Sequence, residues 1–331
     1  MALPSSVRMR SAVPPICIAI VAWNTRELLS RCLNSMHSDV EGGLASVRVV
    51  DNGSTDGSRE LVRSRFEWAE LLQPDENLGF GRAVNLAAED GTSPWLVAAN
   101  ADIELTPGAL EALLEAGGSH PAAGAVAPRL LLPDGSTQHS VHRFPSPSLA
   151  LRFGLGIHRI SRRLGDRWCL EGCWDPDRPR WVDWAHGAFL MLRRDTFAEV
   201  GGFDPAQWLY AEETDLAWRL GRAGHPVRYE PRSVVRHAIG ASTRQAFGPW
   251  ELDRRRATAS YAWLARRRGV PTARLTALIN LVGAAIRLLV FVPLARIAPA
   301  RWGKARARSR RFLALHRRGL RSRPDRADPP G

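Results

Sequence analysis

Three carboxylates, Glu212, Glu213 and Asp215, fall within four positions of the stretch "WLYAEETDLAWRL", between large apolar side chains. Carboxylates crowded together beside apolar walls have raised pKa values. A carboxyl group tuned in that way can take the proton from a hydroxyl. The same acids open "TDLAWRLGRAG", with Leu216 and Leu220 on one face and Gly224 beyond its end. That pattern also fits an ordinary helix start, where the helix dipole favours negative charge.

A second group lies in "AANADIEL", where Asn100 and Asp102 flank one small residue at the end of an apolar run. In extended backbone, alternate side chains leave on the same side. Oxygen ligands at that spacing suit Mg²⁺ or Mn²⁺ that also holds substrate phosphates, and a capping Asn with a turn Asp is the plainer alternative. His237, in "RHAIGAS", ends another apolar run and is a candidate third ligand, since neutral imidazole suits Mn²⁺-type sites. "NLGFGRAVN" looks like a dinucleotide loop but fails in detail: the third glycine would fall at Val84, and the loop follows a third strand instead of a first. Gly79 and Gly81 still allow close approach of backbone to a ligand, and Arg82 is available for phosphate.

Strands and helices must bring these residues together. "ICIAIVAW" reads as a buried strand, Thr25 to Met36 as a helix, "VRVVD" as a strand and Gly57 to Arg65 as a helix. "AELLQP", a helix from Gly79 to Glu89, "PWLVAAN" and a helix opening at Pro107 continue the alternation. Strand and helix in strict turn predict an α/β fold, a mixed and mostly parallel sheet with helices on both faces. Ligands bind such sheets beyond the carboxyl ends of the strands. Those ends read "AWNT", "DNGSTDGS", "ENLGFGRAVN" and "NADIEL", so Asn or Asp recurs at each. Residues 131 to 180 are less regular and rich in Pro, Arg and Trp. "VRYEP" and "SVVRHAIGAS" read as two further short strands.

The 331 residues suffice for one large domain with an appendage, and 45% hydrophobic content excludes a disordered chain. The net charge of +13 is unevenly placed. Glu251 to Gly331 carries 20 Lys/Arg against four Asp/Glu, whereas the first 250 residues hold 26 basic against 29 acidic. Such a tail points to anionic lipid or nucleic acid. Leu275 to Ile297 is apolar but interrupted by Asn280, Arg287, Pro293 and Arg296, which favours a helix lying in the membrane interface over one that spans it. Four cysteines are too few for a disulfide scaffold, and "CLEGC" has no second ligand pair. A reducing compartment fits, and no signal peptide is evident before Pro14 and Pro15.

"IVAWNTRELLSRCLNSM", "VVDNGSTDGS", "ENLGFGRAVN", "NADIEL", "GAFLMLRRDTFAEVGGFD" and "YAEETDLAWRLGRAGHPV" occur in that order. As a set, spanning Pro15 to Thr243, they resemble family 2 inverting glycosyltransferases of the GT-A fold, in particular bacterial rhamnosyltransferase-like members. The resemblance implies that Ala22, Asn24 and Asp51, with Asn52 nearby, contact the base and ribose of a nucleotide, and that Asn77, Gly81 and Asn85 complete that side. "NAD" stands where the family often carries D-x-D, so Asp102 is implied as a metal ligand, Asn100 as a neutral substitute and His237 as a further ligand. The acidic segment matches the family's Glu-Asp motif, whose second acid is the base. That position is Glu213, longer by one methylene than the family's Asp, with Glu212 and Asp215 as alternatives.

The expectation is a metal-dependent transferase using Mg²⁺ or Mn²⁺, peripheral to the inner face of the plasma membrane. The donor is a dTDP- or UDP-sugar, with dTDP-L-rhamnose the best single choice, and the acceptor a lipid-linked or cell-envelope glycan. Trp208, Tyr210 and Arg143 are candidate acceptor contacts. The domains are expected at 1–14 (tail), 15–248 (catalytic) and 249–331 (helical, basic, membrane-associating). A relative that binds nucleotide sugars without catalysis stays open, as does the less favoured nucleic-acid binder acting through the Arg-rich tail.

Overall fold

The computed structural model describes residues 13–156, 161–168, 170, 174–207, 210–238 and 248–323. The first half alternates as expected: β1 (Ile16–Ala22), α1 (Arg26–Glu41), β2 (Ala45–Asp51), α2 (Ser58–Arg65), β3 (Glu70–Leu72), α3 (Gly79–Ala88) and β4 (Trp95–Asn100). An unbroken apolar run such as β1 belongs in a strand covered on both faces. It pairs in parallel with β2 on one side and β4 on the other. Ile16, Ile18 and Ile20 point to a core closed by Leu29, Leu33 and Met36 of α1. Cys17 and Ala19 point to the opposite core with Ala83, Val84 and Ala87 of α3. Both cysteines of this half are buried and free.

The second half adds β5 (Ile103–Leu105), α4 (Ala109–Ser119), β6 (Ala125–Leu131), β7 (Val141–His142), α5 (Pro147–Gly154) and α6 (Arg162–Trp168). After these come β8 (Arg180–Val182), β9 (Trp184–Ala185), β10 (Phe189–Arg193), α7 (Arg194–Glu199), α8 (Glu212–Arg222) and β11 (Val227–His237). The main sheet runs β3-β2-β1-β4-β10-β6-β11-β5, with β8 beside β11, and β7 pairs with β9 separately. It is mixed and mostly parallel, with β10 antiparallel to both its neighbours.

Several boundaries differ from expectation, and α1 runs to Glu41, five residues past Met36. The helix after Pro107 begins at Ala109, because Gly108 takes a left-handed conformation at its cap (φ 81°). "VRYEP" and "SVVRH" form one strand whose register against β6 slips between Glu230 and Val234. Pro231 has no N–H for the ladder, and the Arg232 N–H turns to Glu230 Oε1 (3.1 Å).

Three helices end the described chain: α9 (Pro249–Arg268), α10 (Val270–Ile297) and α11 (Pro299–Gly319). They enclose a small core around Trp263 and Leu264 that also meets Phe144, Ala211 and Trp218. By length and composition α10 is long and apolar enough to cross a membrane. Asn280, read as an interruption of its apolar pattern, faces inward and donates to Tyr261 Oη (3.1 Å), which also bonds His316 Nδ1 (2.8 Å).

Candidate active site

The ends of β1 and β2 are tied to each other. Asn52 N–H donates to the Ala22 carbonyl (2.8 Å). Asn24, at φ 51°, donates its N–H to Ser54 Oγ (2.9 Å) and accepts from Thr55 N–H at Oδ1 (2.8 Å). Buried Asp51 accepts at Oδ1 from Gly53 N–H, Ser54 N–H and Arg59 Nε (2.7 Å), while its Oδ2 has no hydrogen-bond partner among the described residues. A buried, acceptor-only atom of this kind suits an N–H or O–H donor of a ligand. Asn52 accepts from Leu78 N–H (3.4 Å) and donates to the Gly79 carbonyl (3.2 Å), so the third strand-end loop joins the first two. Asn77 turns that loop by accepting from Gly79 N–H (2.9 Å).

Two residues expected on this side serve the scaffold instead. Asn85 spends both ends of its amide on the Phe203 backbone (2.8 and 2.9 Å). A Cβ on Gly81 would stand 2.9 Å from Phe203 Cβ, so the close approach it permits is to that ring's residue and not to a ligand. Arg82 is paired with Glu76 (3.0 Å).

The Asp102–His237 pair is a product of strand register. Ile103 of β5 lies opposite His237 of β11, and the Ala238 N–H donates to the Asp102 carbonyl (2.9 Å). His237 Nε2 then stands 3.3 Å from Asp102 Oδ1, both side chains being buried. His237 Nδ1 meets Gln138 Oε1 at 2.7 Å, an acceptor, so Nδ1 carries a proton and Nε2 is the ring nitrogen that faces Asp102. A buried carboxylate oxygen and an imidazole nitrogen brought together in this way are donor atoms of the kind that suit a divalent metal completed by phosphate oxygens. Among the described residues no group of three or more His, Cys, Asp or Glu side chains forms a closed metal site. Asn100 is half-buried at the end of β4, its N–H held by the Ala188 carbonyl (2.9 Å).

The polar chain continues inward. Gln138 Nε2 meets His186 Nδ1 (3.2 Å), and His186 Nε2 meets His142 Nε2 (3.0 Å). Burial, then the neighbouring histidines, push His186 well below the ordinary histidine range, so it stays neutral and can accept at one nitrogen while donating at the other. Sequence reading assigned no role to Gln138 or His186. The available signal was the polar alternation Gln138, Ser140, His142 in a segment where all three are buried.

Next to His186, Gly187 leads to the acids. A Cβ there would lie 3.6 Å from Glu213 Cβ, and the following residue, Ala188, holds Asn100. Gly187 therefore joins the two groups that motivate the chemistry. Tyr210 and Ala211 are both left-handed (φ 66° each) and swing the chain into α8. Residues other than glycine adopt that conformation at a cost of roughly 1–3 kcal/mol each, which surrounding packing must hold in place. Trp208 lies outside the described residues.

The three acids diverge. Asp215 is fully buried and bonded to Arg219 Nε (2.8 Å) and Arg267 Nε (2.6 Å), a structural tie to α9. Glu212 is buried, and burial together with the charge of Glu213 pushes it well above the carboxylate range. Glu213 is half-buried and raised by burial to about 7, moderated by Arg256. Arg256, on α9, lies 5.0 Å from the centre of the Tyr210 ring. Arg143 pairs with Asp183 (3.2 Å), beyond β7.

The mixed sheet, with polar loops at the carboxyl ends of its parallel strands, defines a GT-A glycosyltransferase fold. Among solved structures the chain is similar to GalNAc-T7 with UDP, GalNAc and Mn²⁺ (TM-score 0.55, 13% identity, covering 77% of this chain and 48% of that one). It is equally similar to a mannosyltransferase from Pyrobaculum calidifontis in complex with GDP-Man and Mn²⁺ (TM-score 0.55, 18% identity, covering 94% and 88%). The model of glycosyl transferase family 2 matches residues 17–175. The N-acetylglucosaminyl-diphospho-decaprenol L-rhamnosyltransferase of Mycobacterium tuberculosis is 35% identical over 246 residues, 68% of this chain and 76% of that protein. A rhamnosyltransferase of Escherichia coli is 33% identical over 90 residues, 26% of this chain and 32% of that protein. The chain belongs to glycosyl transferase family 2 and is a rhamnosyltransferase-like enzyme.

Proposed function

We propose that the protein is an inverting transferase that moves a sugar, L-rhamnose from dTDP-L-rhamnose as the first choice, to a hydroxyl of a lipid-linked envelope glycan. The observation that carries this reading is a carboxyl raised to about 7, Glu213, one glycine away from the strand end that bears Asn100 and Asp102. The rhamnosyl group and the lipid-diphosphate acceptor are those named for the mycobacterial relative, an N-acetylglucosaminyl-diphospho-decaprenol L-rhamnosyltransferase.

In this reading Asp51, Asn24 and Ala22 hold the nucleotide, with the buried Asp51 Oδ2 taking a base or ribose donor. Asp102 and His237 hold Mg²⁺ or Mn²⁺, which when bound offsets charge on the departing diphosphate. Glu213 takes the proton of the acceptor hydroxyl as the hydroxyl oxygen bonds to the anomeric carbon and the bond from that carbon to the diphosphate breaks. Attack from the face opposite the leaving group inverts the configuration. Burial of Glu213 itself keeps its pKa near 7, and Glu212, raised further by burial and by Glu213, stays protonated beside it. Asp215 fixes the helix that presents them. The domain boundaries at 14 and 248 remain part of this proposal, as does a peripheral position on the inner membrane face.

The test is turnover of dTDP-rhamnose with an N-acetylglucosaminyl-diphospho-lipid and Mn²⁺, the anomeric configuration of the product being read by NMR. Hydrolysis alone, or a product with retained configuration, would overturn the reading.

A further inference from the structure

Away from the strand ends, a cavity of about 340 Å³ opens where α5, α6 and the end of α9 meet. Among the described residues four guanidinium groups line it, those of Arg143, Arg152, Arg167 and Arg268, against the single carboxylate of Asp183. Cations gathered with so little counter-charge repel one another, and an anion with several oxygens relieves that repulsion. Three of the four are held in position. Arg143 bonds Asp183 Oδ1 and the Arg167 carbonyl (3.2 Å each), and Arg152 bonds the Trp168 carbonyl (3.0 Å). Arg268 bonds the Pro145 carbonyl (3.1 Å) and lies 5.5 Å from the centre of the Trp218 ring. Each guanidinium has five N–H donors, so these anchors leave others for a ligand, in the fork geometry that matches phosphate oxygens.

The surroundings indicate what the phosphate carries. Leu151, on the same helix as Arg152, and Leu155, just past its end, are 50% and 65% exposed. That helix packs on α10, with Gly154 and Gly283 close enough that a Cβ on Gly283 would sit 3.6 Å from the Gly154 Cα. Along α10 Leu275, Leu278, Val282, Ile286 and Leu289 are all exposed, at a spacing of three and four that makes one face. This apolar strip is roughly 21 Å long at 1.5 Å per residue. A multiply basic cavity beside a long apolar strip suits a lipid that carries phosphate, and the acceptor read above makes that lipid a diphosphate on an isoprenoid chain.

We propose that this cavity binds the diphosphate of an isoprenoid-linked acceptor, with the chain lying along the exposed face of α10. The proposal rests on the lipid-linked acceptor read above and adds the place that holds it. Trp218, which lines the cavity, is five residues beyond Glu213 on α8, roughly 7.5 Å along the helix axis. A diphosphate bound there leaves its first sugar within reach of the start of that helix.

The test is direct binding to the full chain by calorimetry in EDTA, which keeps the cation-dependent donor site from competing. Farnesyl diphosphate, inorganic pyrophosphate and phosphatidylglycerol vesicles serve as separate probes. Farnesyl diphosphate is expected to bind at least tenfold more tightly than pyrophosphate. Arg152→Gln/Arg167→Gln should weaken it at least tenfold, and Arg310→Gln/Arg317→Gln, an equal loss of charge on α11, less than twofold. Arg167→Gln alone, at an exposed side chain, should weaken it at least threefold and guards against misfolding of the double variant. Absence of farnesyl diphosphate binding, equal weakening by both pairs, or a loss confined to the vesicles would each overturn the proposal. Turnover is not read here, so an enzyme that binds farnesyl diphosphate as expected but transfers only to lipid-free sugars would refute the acceptor reading separately.

Discussion

At the scale of single residues, Glu213 carries the most explicit expectations. A base must be ionised, so kcat/KM should rise about tenfold per pH unit up to about 7 and level off above it. Glu213→Gln should lower kcat by roughly 10²–10⁴ while leaving nucleotide-sugar affinity within about twofold, as read by calorimetry. Stability should respond with a fixed sign. A carboxyl whose pKa is raised by folding stabilises the fold below its unfolded value, and that stabilisation disappears as pH rises through about 7. Glu213→Gln mimics the neutral acid, so its melting temperature should exceed the wild type at pH 8 and match it near pH 4.5. On the metal side, Asp102→Ala should abolish most turnover. Gln138→Ala should cost roughly 10–100-fold in Mn²⁺ affinity, because the partner of His237 Nδ1 fixes which nitrogen faces Asp102. Unchanged Mn²⁺ affinity in Gln138→Ala would separate the histidine chain from the metal.

At the scale of elements, the start of α8 is held by two unlike means. Two consecutive left-handed residues set its start, and buried Asp215 anchors its first turn to α9 through Arg267. Arg267→Met leaves Asp215 with Arg219 alone, so a loss of roughly 1–3 kcal/mol is expected in urea unfolding. Arg266→Met, which breaks only the longer pairing with Asp204 (3.4 Å) among the described residues, should cost less. If Arg267→Met retained full stability, the coupling of α9 to the acidic helix would be incidental. β11 shows a related economy. The slip at Pro231 does not end the strand, and its continuation to His237 is what sets the imidazole beside Asp102.

At the scale of the whole molecule, the basic region is not a separate tail. Its first helix supplies Arg256, Arg267 and Arg268 to the acidic helix and its surroundings, and its second exposes an apolar face with the polar Asn280 turned inward. An exposed apolar face flanked by arginines fits an anionic bilayer better than nucleic acid. Val282→Glu/Leu289→Glu should reduce cosedimentation with phosphatidylglycerol vesicles at least fivefold and leave nucleotide-sugar binding unchanged. Equal binding of wild type and variant would return the tail to purely electrostatic contacts.

The alternation of apolar runs with helical patterns was enough to determine the α/β class, because burial on both faces of a parallel strand writes itself into consecutive residues. Strand ends carrying Asn and Asp located the polar edge for the same reason. What the sequence could not decide was which polar residues spend their hydrogen bonds on the protein. Asn85 and Gly81 look like ligand contacts in the chain but are committed to Phe203, over a hundred positions away. Asp215 looks like an equal of Glu213 until Arg267 arrives from another helix. Gln138 and His186 showed no meaning until β5, β9 and β11 brought them beside His237. Such commitments depend on distances between remote segments, which only the packed chain sets.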